Sequence, residues 1–181
     1  NWSDGGNWQD GTAPSAGAQV TFGDVLTAPR TVTIDQPVTV GYVTFAGDQT
    51  YTLAGPNTLT LDGDGDAATL DVPDGEHEIA APTALATDVT VQGGGKVTLS
   101  GAMWMAGPRT LTVSGGTGEL ATDGGTDLSV VVDGNLELVA DQHLASLTVN
   151  ATGQVAILSG SVTTVETAAL AITPTGQVDV R

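Results

Sequence analysis

Apolar and polar residues alternate along most of this chain, and the alternation comes in short bursts. One unit recurs, an apolar–Thr–apolar triplet, in Val20-Thr21-Phe22, Val32-Thr33-Ile34, Val38-Thr39-Val40, Val43-Thr44-Phe45 and Tyr51-Thr52-Leu53. It returns as Leu59-Thr60-Leu61, Val89-Thr90-Val91, Val97-Thr98-Leu99, Leu111-Thr112-Val113 and Leu147-Thr148-Val149. Side chains two apart on a strand share a face, so the outer pair points one way and Thr the other. Gly, Asp, Asn or Pro lies close after nearly every triplet, which ends each strand in a turn. The expectation is an all-β chain of short strands; only Ser161 to Ala171 carries a weak helical pattern.

Two architectures accommodate such strands. A β-sandwich or closed barrel uses strands of about 5–6 residues joined by hairpin turns, and Asp-Gly pairs suited to such turns do occur here. A β-solenoid uses shorter strands, tight corners and small inward residues, each coil resting on the last. The recurring tails Leu61-Asp62-Gly63, Leu99-Ser100-Gly101, Val113-Ser114-Gly115 and Leu158-Ser159-Gly160 favour the solenoid, and their uneven spacing predicts irregular coil lengths. The β-sandwich stays as the alternative. The whole chain, 1–181, reads as one solenoid domain, with 1–19 covering the first coil and 20–181 forming the coils.

The phrase NWSDGGNWQDGTAPSAGAQVTF, residues 1–22, resembles the opening of bacterial autotransporter-associated β-strand repeat proteins. There, two tryptophans precede a Gly/Pro-containing turn and a Val-Thr-Phe strand. Gly75 to Gly101 resembles the repeat of that family, and Asp141 to Gly160 is similar to the closing coils of related large secreted proteins. The resemblance implies a right-handed parallel β-helix on a bacterial surface or in a secreted fibre, and no catalytic residues.

Charge narrows the partners. Twenty-one acidic residues against four basic ones give a formal net charge of −17, which disfavours nucleic acid, whose phosphates require a basic surface. It also disfavours anionic membranes, and no apolar run approaches the roughly 20 residues of a membrane span. The absence of cysteine excludes disulfides, thiol catalysis and thiolate metal sites.

Four groups of residues are candidates for chemistry or binding. Asp62, Asp64 and Asp66 alternate in LDGDGDAATLD with Asp71 close behind, a spacing at which hard carboxylate oxygens can wrap calcium. An EF-hand loop needs Gly at its sixth position and Glu at its twelfth, where this chain has Ala67 and Pro73, so a solvated acidic turn is the plainer reading. Glu76, His77 and Glu78 look like a metal or acid–base cluster, but on a strand His77 points away from both glutamates. Trp2, Trp8 and Trp104 are the candidate glycan-stacking residues; the plainer reading has Trp2 and Trp8 covering the first coil. Trp104 alternates with Met103 and Met105, which places it on the opposite face from the methionines. The pairs Thr31/Thr33, Thr58/Thr60 and Thr110/Thr112 raise ice binding, which asks for a regularity of coil that the spacing lacks.

Catalysis finds little support. Acidic-glycan lyases need cationic groups, and Lys96, Arg30, Arg109 and Arg181 are the only ones here; no pair of carboxylates is singled out for glycoside hydrolysis. Val178-Asp179-Val180 reads as a strand at the very end, a coil edge that wants a neighbour. The expectation is a non-catalytic structural subunit of a bacterial extracellular fibre or surface layer, joined to copies of itself head to tail. The alternative is an adhesin or carbohydrate-binding module that uses its tryptophans on glycans. No cofactor is expected beyond calcium at the Asp62 loop.

Overall fold

The computed structural model describes residues 1–158 and 164–181, and the chain is a β-solenoid of about eight turns. Strands stack in parallel on three faces. Face one carries Ala18–Phe22, the second half of Val38–Phe45, Ala68–Val72, Val89–Gly93, Arg109–Val113, Leu128–Val132, Ser146–Val149 and Leu170–Ile172. Face two carries Arg30–Thr33, Tyr51–Ala54, Glu76–Ile79, Lys96–Leu99, Thr117–Leu120, Asn135–Leu138, Gln154–Ile157 and Gln177–Val180. Face three holds the first half of Val38–Phe45, then Leu59–Leu61, Thr83–Leu85 and Met103–Met105, and resumes with Gln142–Leu144 and Val165–Thr167. The sandwich alternative is thereby set aside. The weak helical pattern fails too: Val165–Thr167 and Leu170–Ile172 are strands, where β-branched residues pack well. Ser161, Val162 and Thr163 of that pattern, with Ser159 and Gly160, lie outside the described residues.

Period-2 alternation supplies the core. Val20, Val43, Leu70, Val91, Val113, Val132 and Val149 follow one another in register along face one, and all are buried. On face two the matching row is Leu53, Ile79, Leu99, Leu120 and Leu138. The Thr between the apolar residues of each triplet points outward, as at Thr90 between Val89 and Val91. One register step takes 17 residues from Val132 to Val149 but 27 from Val43 to Leu70. Coil length is therefore irregular while alignment is kept, because the extra residues go into corners such as Asp62–Ala67.

Corners need glycine where chains approach closely. A Cβ on Gly101 would sit 1.9 Å from the Ala81 carbonyl oxygen of the coil before. Coil five has no strand on face three; there the buried side chain of Gln142 takes over the missing ladder. Its Oε1 accepts from the Gly124 N–H at 3.0 Å, and its Nε2 donates to the Thr122 carbonyl at 2.8 Å. Both ends of this buried amide are satisfied, as burial requires.

The two ends differ. At the N-terminal end an aromatic column runs from Trp2 and Trp8 through Phe22 and Phe45 to His77. Phe22 and Phe45 stack at 5.3 Å between centroids, and Phe45 and His77 at 4.6 Å. Trp2 is wholly buried, and its backbone N–H donates to the Thr33 carbonyl at 2.8 Å. Ser3 donates its N–H to Asp35 Oδ1 at 3.0 Å, and its hydroxyl also donates to that carboxylate, holding the Asp35 pKa below the ordinary value. At the other end Leu170, Ile172, Val178 and Val180 continue the inward rows of Leu147, Val149, Val155 and Ile157, yet they are exposed.

Candidate functional site

The acidic corner that follows Leu59–Leu61 is a tight turn. Asp62 Oδ1 accepts from the Asp64 N–H at 3.0 Å, Asp64 takes a left-handed conformation (φ 56°), and Gly63 pairs with Asp66. Asp71 does not join it: as an outward residue of Ala68–Val72 it lies on face one, where Oδ1 accepts from Gln92 Nε2 at 3.2 Å. Burial first, and the Asp71 carboxylate second, push the neighbouring Tyr42 hydroxyl pKa upward. Among the described residues no three carboxylate or imidazole groups converge as a metal ion would require. Of the four carboxylates, Asp62, Asp64 and Asp66 share the corner, and the strand that starts at Ala68 carries Asp71 away from it.

Glu76 and Glu78 point outward while His77 points into the core. The His77 ring is hydrogen-bonded at both nitrogens. Nδ1 lies 3.1 Å from the Tyr51 N–H, which it accepts, so Nε2 carries the proton and donates to the Asp74 carbonyl at 3.1 Å. That is the neutral imidazole. Burial holds its pKa below the ordinary histidine value, outweighing the backbone hydrogen bonds that favour the charged form.

The tryptophans have separated roles. Trp2 is enclosed and offers no stacking surface. Trp8 is half-buried, 5.0 Å from the Trp2 ring, and its indole N–H donates to the Trp2 carbonyl at 2.7 Å. Trp104 stands outward on face three, 55% exposed, next in register to the small Ala84. Met103 and Met105 turn inward beside it and pack on the core.

Face two carries a polar surface that the linear pattern did not single out. Register places Glu76, Lys96, Thr117, Asn135, Gln154 and Gln177 in one outward row. A second row holds Glu78, Thr98, Glu119, Glu137, Ala156 and Asp179. Lys96 Nζ reaches across to Glu119 Oε2 and Glu137 Oε2, both at 2.6 Å. Burial opposes the charge on Lys96, but the hydrogen bonds to the two glutamates outweigh it and raise its pKa; the same contact lowers that of Glu137. Two adjoining depressions lie along these rows. One, of about 480 Å³, is bordered by Asp74, Glu76, Lys96, Thr117 and Glu137. The other, of about 570 Å³, shares Thr117 and Glu137 with it and continues past Gln154, Ala156 and Gln177 to Asp179 and Arg181. The alternation already marked these side chains as outward; their alignment across coils was the missing information.

No protein-family model, curated protein or solved structure matches this chain.

Proposed function

We propose that the chain is a non-catalytic structural subunit of a bacterial extracellular fibre or surface layer, built by stacking solenoid coils end on end. The observation that carries this reading is the coil-on-coil register itself, in which Val91, Val113, Val132 and Val149 rest directly on one another. Leu170, Ile172, Val178 and Val180 continue the inward rows and stand exposed, an apolar surface on which another coil can stack. Apolar side chains left in water favour such burial at roughly 25 cal/mol per Å². Two unlike ends that meet make a heterologous contact, which propagates as a filament when the rotation does not close. The extracellular setting rests on the likeness of residues 1–22 to autotransporter-associated repeats.

Sedimentation velocity and negative-stain electron microscopy across protein concentration test the reading. Rods that lengthen with concentration are expected, and Leu170→Lys/Val180→Lys should leave single short particles. Parent protein that stays monomeric at every concentration would remove self-assembly from the proposal. A second reading, an adhesin or carbohydrate-binding module, is favoured by Trp104, an exposed indole on an otherwise small-residue row. Loss of glycan retention in Trp104→Ala is its test.

A further inference from the structure

We propose that the face-two groove binds an extended, uncharged polysaccharide strand laid along the solenoid axis. This goes beyond the scaffold reading and concerns a different surface from Trp104, which stands on face three.

The shape comes first. The two depressions share Thr117 and Glu137 and so form one trough from Glu76 to Gln177. At a coil rise of about 4.8 Å, five steps make a trough roughly 24 Å long. The floor dips at Ala156, the one small residue between Glu137 and Asp179 in its row.

The chemistry follows. Gln154 and Gln177 sit in register on neighbouring strands, both exposed, and neither amide has a partner among the described residues. Each offers two N–H donors and a carbonyl acceptor, a set that matches hydroxyl groups, which both donate and accept. Asn135, one coil earlier, donates to the Gly116 carbonyl at 3.2 Å and keeps its own carbonyl as an acceptor. An amide therefore recurs on three successive strands, Asn135, Gln154 and Gln177, as sugars recur along a glycan.

Charge excludes acidic glycans. Asp74, Glu76, Glu137 and Asp179 border the trough, and its two cations are already paired: Lys96 with Glu119 and Glu137, Arg181 with Asp179 at 2.7 Å. A uronate or sulfate would meet carboxylates and no free cation. A protein partner fits less well. The backbone groups of the strands from Glu76–Ile79 to Gln154–Ile157 are spent in the coil-to-coil ladder, so no strand can be added along the trough floor, and the trough holds no aromatic anchor of the kind that carries protein interfaces.

Affinity electrophoresis of the full chain tests this, through gels containing hydroxyethylcellulose, xylan, galactomannan or polygalacturonate. Retardation is expected in at least one uncharged glycan and not in polygalacturonate. Two lost hydrogen-bonding side chains in Gln154→Ala/Gln177→Ala should weaken binding roughly tenfold or more, and Ala156→Trp, which fills the floor, should abolish it. Melting temperatures near the parent's confirm that these outward substitutions leave the fold intact. The proposal is overturned if no uncharged glycan retards the chain, if polygalacturonate retards it equally, or if both groove variants bind like the parent. Retention lost in Trp104→Ala but kept in the groove variants would also overturn it, and would leave the adhesin reading standing.

Discussion

Lys96 Nζ lies 2.6 Å from Oε2 of Glu137, a residue 41 positions later in the sequence and two coils further along the solenoid. Glu119 stands between them in the stack and touches the same nitrogen. Glu119 and Glu137 are direct register partners on adjacent strands, an arrangement that is destabilising for like charges. One ammonium group makes the pair tolerable.

Replacing Lys96 should therefore cost more than a surface ion pair usually does. Lys96→Met keeps the stem but leaves two half-buried carboxylates facing each other, at a cost of about 1–2 kcal/mol. A fall of a few degrees in melting temperature at pH 7 is expected. Glu119→Gln in the same background should recover part of it, the coupling that a double-mutant cycle measures. Because contact with Lys96 lowers the Glu137 pKa, this stabilisation is present above the ordinary glutamate range and lost as pH falls through the folded value. The gap between parent and variant should narrow from pH 6 to pH 3.

His77 gives a pH dependence at higher pH. Its folded pKa lies below the ordinary 6.5, so between the two values the unfolded chain binds more protons. Stability then rises with pH and levels off above about 6.5. Protonation would also put a hydrogen on Nδ1, the atom that accepts the Tyr51 N–H. In His77→Phe the stack on Phe45 survives, while the buried Tyr51 N–H loses its partner, at about 1–3 kcal/mol. Thermal melts from pH 5 to 7.5 should show a lower, flatter profile in the variant. A variant as steep as the parent would mean that the acid sensitivity arises elsewhere than at His77, and not at the His143–Asp123 pair, whose raised His143 pKa adds stability as pH falls.

Alternation alone made the inward and outward positions legible, because a period of two needs no knowledge of the partner strand. Val97 and Leu99 are buried and Thr98 faces out, as their triplet requires. Phase along the solenoid was not legible, and the tails explain why. Leu61-Asp62-Gly63 turns from face three to face one, Leu99-Ser100-Gly101 from face two to face three, and Val113-Ser114-Gly115 from face one to face two. One local solution serves three corners, since each needs an apolar anchor and then a glycine that a close backbone approach requires, to the preceding coil at Gly101 and Gly115 and to Asp66 and Ala67 of its own turn at Gly63. Residues that meet only through register, such as Phe45 with His77 or Lys96 with Glu137, consequently stayed invisible. The inward assignment itself is easily tested. Val97→Asp would bury an unpaired carboxylate at a cost of several kcal/mol, and circular dichroism should show a lost or broadened transition; a melting point within about a degree of the parent would refute it.

Calcium should leave the fold unmoved. Asp71 is tied to Gln92 on face one, and the rest of the corner is closed by its own Asp62–Asp64 turn. Millimolar calcium and an excess of chelator, compared at equal ionic strength, should give the same melting temperature. Matching ionic strength matters, because any divalent salt screens a chain of net charge −17. A rise specific to calcium, abolished by Asp64→Asn, would show that the corner rearranges to gather ligands.

The three tryptophans can be told apart by light. Trp2 is enclosed and Trp8 half-covered in the aromatic column, whereas Trp104 is more than half exposed. Emission of the parent should contain a red-shifted component that iodide or acrylamide quenches readily, and Trp104→Phe should remove it while leaving a blue-shifted, protected remainder. The same probe separates two events at opposite ends of the proposals. Stacking of a further coil against the N-terminal end brings new neighbours to Trp8 but not to Trp104, so assembly should alter the protected component alone. A glycan on face three would instead shield Trp104, and one in the face-two groove would change neither. Emission that responds to glycan in Trp104→Phe as strongly as in the parent would assign the response to the covering tryptophans, and Trp8 would become the residue to replace next.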